Sequence, residues 1–311
     1  MSDKRPTSNS SNRLLAYSLK RPVLVALVLF ILACVAKYFD SFVFRLDELI
    51  GEAILTKSLG FILAAAYIWA CGRKLRDIGF HSRKLGKVLL TASMSFGFLY
   101  ALFFTSQLLI LRFSGEDVKF ALSAVDPRTG MSGGLLFGIW LLLANLVNSA
   151  MEEGLFRGIM IRHYLRRFSG WGAIFLQAGF FAIWHLSWPI RHFIDGQASL
   201  GEVAFEASAL LVSTLISGVV YGYLYYKTNN LWWPFVGHTI NNGIFNVLFI
   251  RTSMGMQSGL EFVPFTAIFL VGHILLIPII GLVTNRLKTS NVKPWGEFSV
   301  GENVPTPELE T

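Results

Sequence analysis

The chain has 311 residues, 53% of them apolar and only 15% charged, a balance that excludes a water-facing globular fold and points to a polytopic membrane protein. Its net charge of +8 reads as a bias of Lys and Arg toward one side of a membrane, with basic loops able to touch anionic lipid, and predicts no nucleic-acid partner.

A bilayer core of ~30 Å needs about 20 helical residues to cross it. Eight stretches of roughly that length are nearly free of Asp, Glu, Lys and Arg: 22–39, 53–72, 88–111, 131–151, 169–190, 207–226, 228–250 and 262–285. The first follows a basic segment as a secretory signal does, but Lys37 and Tyr38 come after it without a small-x-small cleavage pattern, so it is expected to stay as a helix. Lys57 interrupts the second. The runs are apolar on all sides rather than alternating, which predicts an all-α fold of about eight transmembrane helices instead of a barrel.

Orientation follows from the basic residues near helix ends. The N-terminal segment, the 73–87 loop, the 157–167 segment, Lys227 and the C-terminal segment hold most of the 27 Lys and Arg, which predicts that both termini are cytoplasmic. Residues 1–20 and 289–311 are polar and lack apolar periodicity, so they read as flexible cytoplasmic tails on a membrane domain spanning 21–288. Cys34 and Cys71 fall inside spans and predict neither a disulfide nor a sulfur metal site.

Segment 148–158 continues the fourth apolar run and carries Glu152, Glu153 and Arg157. Each such residue costs on the order of 3 kcal/mol at mid-bilayer. Either the span ends at Met151 and these are interfacial charges, or the helix runs on. The next break is at 168–170, and in a helical hairpin turning there Glu152 and His185 lie equally far from the turn, ~24 Å at 1.5 Å per residue. That common depth predicts a fourth helix continuing through Arg167. Glu153 and Arg157 are i and i+4 with the acid nearer the N-terminus, the favourable orientation for an ion pair. Glu152, about 100° around the helix, is left free to act as a general base; two equivalent acids remain an open alternative.

His185 ends an aromatic-rich run, and His238 and Asn242 share one face of the seventh helix, where Pro234 is expected to bend the backbone. His163 and His192 read as interfacial, His273 as a packing residue and His81 as part of the basic loop. The patterns Gly134 to Gly138 and Gly218 to Gly222 predict tight helix packing.

Glu152-Glu153-x-x-x-Arg157, Phe181-x-x-x-His185 and His238-x-x-x-Asn242, in this order on separate apolar helices, resemble the three motifs of the CAAX-protease and bacteriocin-processing family, the abortive-infection type of intramembrane endopeptidase. The resemblance covers about residues 131–250, and Leu75-Arg-Asp-Ile-Gly-Phe80 looks like a segment common ahead of this core. It implies hydrolysis of a peptide bond by water activated at Glu152 and His185, with His238 and Asn242 holding the oxyanion and Glu153 and Arg157 in support. It implies no cofactor; the alternative is a zinc enzyme with Glu152, His185 and His238 as ligands, although the H-E-x-x-H pairing of most zinc peptidases is absent. The expected partners are a protein or peptide substrate, reached from the membrane or the cytoplasmic side, and the lipid bilayer. The expected location is a bacterial plasma (inner) membrane, or the endoplasmic reticulum in a eukaryote. A non-catalytic scaffold or immunity protein, and a transporter with a buried proton relay, are the readings from other classes.

Overall fold

A computed structural model describes residues 12–81, 84–126, 129–253, 255–257 and 263–297. Six helical segments among them are long and apolar enough to cross a membrane: Pro22–Phe44, Leu85–Phe113, Leu135–Tyr164, Gly170–Ile194, Leu200–Thr228 and Thr266–Arg286. The other two expected spans are shorter than the composition predicts. Ile54–Ala70 has 17 residues, and Trp232–Val247 has 16 because the chain leaves the helix at Leu248 to form a strand.

That strand, β4 (Leu248–Thr252), lies between β1 (Lys119–Leu122) and β5 (Gly255–Gln257), antiparallel to both, with Phe120 opposite Ile250. A second small sheet pairs β2 (Ala124–Val125) with β3 (Ser132–Gly133). Both lie in connections between helices, and the membrane-spanning part is all α.

Local chemistry sets the helix ends. Ser169 Oγ accepts from Gly172 N–H at 3.2 Å, and Ser199 with Glu202 forms a capping box at the head of Leu200–Thr228. Asn229, in the left-handed region at φ 49°, ends that helix. Pro234 sits in the first turn of Trp232–Val247, where its missing N–H has no intrahelical role. The expected bend at Pro234 is therefore replaced by a helix start.

The helices Gly170–Trp184 and Leu200–Thr228 pack along each other. Gly218 permits the approach, since a Cβ there would stand 3.0 Å from that of Ala178. Gly134 has open space where its Cβ would be, so the first Gly pattern does not mark tight packing as the second does.

The helix carrying Glu152 runs on past Met151 to Tyr164, a little short of Arg167. From Glu153 to Ile161 it winds as a π-helix, a form usually confined to single turns and frequent at functional sites. All nine residues of that stretch are buried. Its far end is anchored by His163, which is fully buried rather than interfacial: Nε2 meets Tyr67 Oη at 2.8 Å and Nδ1 meets the Ile159 carbonyl at 2.9 Å.

Arg13–Lys20 is a helix, and Trp295 is completely buried, its indole donating to Ser18 Oγ at 3.0 Å and its ring 4.5 Å from that of His163. Residues 1–11 and 298–311 of the expected tails lie outside the described residues.

Candidate active site

Glu152 and Glu153 occupy the point where the α-helix passes into the π-helical stretch, and both are buried. Glu153 Oε1 lies 3.2 Å from Arg157 Nη1. This is an ion-pair contact rather than an aligned hydrogen bond. The guanidinium also lies 4.0 Å from the Phe181 ring centre, so an aromatic face meets a charge that has no access to solvent.

His238 reaches this pair from the helix Trp232–Val247. Its Nδ1 lies 2.8 Å from Glu153 Oε1 and its Nε2 lies 3.3 Å from Glu152 Oε2. The tautomer with hydrogen on Nδ1 donates to Glu153, which fixes the ring. Tyr221 stacks on the same imidazole at 5.8 Å.

Glu152 is held by one oxygen only. Trp184 Nε1–H donates to Oε1 at 2.9 Å, while Oε2 has no hydrogen-bond partner among the described residues and faces His238. A carboxylate pinned through one oxygen presents the other in a defined direction.

His185 caps the helix Gly170–Trp184, and its Nδ1 hydrogen is directed at the Phe181 carbonyl, 2.7 Å away. Nε2 is then the acceptor nitrogen. His185, His238 and Lys37 all act electrostatically on Glu152. Asn242 lies one turn beyond His238, half-buried, with Oδ1 accepting from Asn241 Nδ2 at 3.1 Å; Asn241 Oδ1 in turn accepts from Tyr100. Tyr100 also lines an apolar cavity of about 320 Å³ together with Phe103, Phe269 and His273.

Glu152, Glu153, Arg157 and His238 are thus in direct contact at one buried centre, half-buried His185 bonds the Phe181 carbonyl beside it, and Asn242, one turn beyond His238, contacts Asn241. Trp184 and Lys37 belong to the same centre but escape the motifs. Lys37 has a sequence signal, a cation late in an apolar run; the Trp184 indole has none.

No three His, Cys, Asp or Glu side chains among the described residues form a group that could hold a metal ion.

The helices and this centre define an integral, multi-pass membrane protein with a buried acid–histidine site. Residues 134–244, which include all seven named motif residues, match the family model described as Rce1-like, type II CAAX prenyl endopeptidase Rce1-like. The match assigns this segment to a CAAX-type membrane endopeptidase. No curated protein and no solved structure matches the chain.

Proposed function

We propose that the chain hydrolyses a peptide bond of a protein or peptide substrate at this buried centre, without a metal. The observation that carries the reading is the position of His238 between Glu153 Oε1 and Glu152 Oε2.

Glu152 Oε2 takes a proton from water, with Nε2 of His185 helping to orient it, and the hydroxide adds to the substrate carbonyl. With hydrogen on both ring nitrogens, His238 keeps Nδ1–H on Glu153 and directs Nε2–H to the oxygen on which negative charge develops, joined by the side-chain amide of Asn242, an effect worth about 3 kcal/mol per donor in a dry site. Collapse of the tetrahedral intermediate breaks the C–N bond, and the proton held by Glu152 passes to the leaving amine. Glu153 and Arg157 support by fixing His238.

On this reading both termini and the basic loops are cytoplasmic, eight helices lie in the membrane, and the substrate arrives from the membrane or the cytoplasmic side. The membrane is a bacterial plasma membrane, or the endoplasmic reticulum in a eukaryote. The family name makes a prenylated CAAX peptide the first probe.

The test is purified protein in proteoliposomes with a farnesylated CAAX peptide and an unmodified peptide library, comparing wild type, Glu152→Ala and His185→Ala, with and without a chelator. Cleavage by wild type alone, indifferent to chelator, is the expected outcome. Cleavage that survives either substitution, or that a chelator abolishes and zinc restores, sinks the mechanism.

A further inference from the structure

Lys37 is a buried ammonium late in the first apolar helix, Pro22–Tyr38, and has no place in the three motifs. A cation at such a position is expensive and needs a reason. Its Nζ donates to the backbone carbonyl of Trp184 at 2.6 Å and stands 4.2 Å from the centre of the Trp184 ring.

Trp184 is the last residue of the helix Gly170–Trp184, so its carbonyl has no partner within that helix and lies at the negative end of the helix dipole. An ammonium there caps the helix and holds Trp184 by backbone and ring together. The indole N–H of that tryptophan donates to Glu152 Oε1, and the next residue is His185. One cation, from a part of the chain 147 residues away, therefore fixes a group that touches Glu152 and the backbone that carries His185.

The geometry points to Lys37 as a positioning residue that, through Trp184, holds the Glu152 carboxylate and His185 in register with each other. This rests on the proposed function for its catalytic consequence, but the Lys37–Trp184–Glu152 link can be tested without it.

The experiment compares Lys37→Met, Lys37→Arg, Trp184→Phe and the Lys37→Met/Trp184→Phe double variant in proteoliposomes, each shown to be folded by thermal unfolding. The expected result is a kcat lowered about 10- to 100-fold in Lys37→Met with KM nearly unchanged, recovered in large part by Lys37→Arg. The double variant is expected to be no worse than the poorer single variant, because both changes break one link. A wild-type kcat in Lys37→Met, or losses that multiply in the double variant, overturns the inference and leaves the proposed function standing.

If wild type cleaves no peptide, the proposed function is what fails. The inference is then decided by labelling of Glu152 with a hydrophobic carbodiimide, read by mass spectrometry. Labelling at least about threefold faster in Lys37→Met than in wild type and Lys37→Arg supports the link, because the carboxyl is released and loses a neighbouring cation. Equal rates overturn it.

Discussion

His238 Nδ1 stands 2.8 Å from Glu153 Oε1, the same oxygen that meets Arg157 at 3.2 Å. Glu153 thus serves two partners, one on its own helix and one 85 residues away. Glu153→Gln keeps the shape but leaves Arg157, which has no solvent exposure, without a counter-charge. Breaking a buried pair in this way costs about 3–5 kcal/mol. A clear drop in unfolding temperature in detergent is expected, together with loss of cleavage as His238 loosens.

Glu152→Gln should behave differently. Its amide oxygen can still accept from Trp184, so the unfolding temperature should stay close to wild type, while loss of the base lowers kcat by about 10²- to 10⁴-fold. A variant that unfolds early but still cleaves would mean that Glu152 is structural.

Gly79 lies at φ +119°, and a Cβ there would come within 2.9 Å of the Tyr225 ring and 3.1 Å of the Leu231 backbone nitrogen. Its carbonyl accepts from Leu231 N–H, which joins the 75–80 segment to the start of the His238 helix. Gly79→Ala should destabilise the protein by at least about 1 kcal/mol and reduce cleavage through displaced His238. Unfolding and kcat together check this.

His81, in the loop before the helix Leu85–Phe113, has its pKa pushed below the usual 6.5, chiefly by burial and against the opposing effect of its contact with the Asn229 carbonyl. The folded value lies below the unfolded one, so the unfolded chain takes up the proton first. The stability contributed by neutral His81 is present above about 6.5 and is lost as pH falls toward the folded value. Thermal unfolding between pH 7.5 and 5 should show a decline that is shallower in His81→Asn.

Trp295 is fully enclosed, stacked on Tyr67 at 5.4 Å and bonded through its backbone N–H to the Arg162 carbonyl. Trp295→Ala should cost about 3–5 kcal/mol, far more than a residue of a loose tail would. A change within error would show that the segment does not hold the fold.

Much of the helical plan was legible because a membrane forces long apolar runs, and the shared depth of Glu152 and His185 follows from helical rise alone. The shortening of Trp232–Val247 was not legible: Leu248 to Thr252 is as apolar as the helix before it, and its strand form depends on pairing with residues 119–122. The burial of His163 likewise depends on Tyr67 and Trp295, far away in sequence. The Trp184 contact to Glu152 was hidden because a tryptophan before His185 reads as one more apolar residue.

The π-helical winding of Glu153–Ile161 makes this segment an α-helix carrying surplus chain. Removing one residue between 154 and 156 would let it relax toward the commoner form, yet would turn Arg157 by about 100° relative to Glu153. A shorter variant could therefore gain helical regularity while its ion pair and imidazole fell out of phase, so selection for robustness and selection for chemistry would pull the length of this helix in opposite directions.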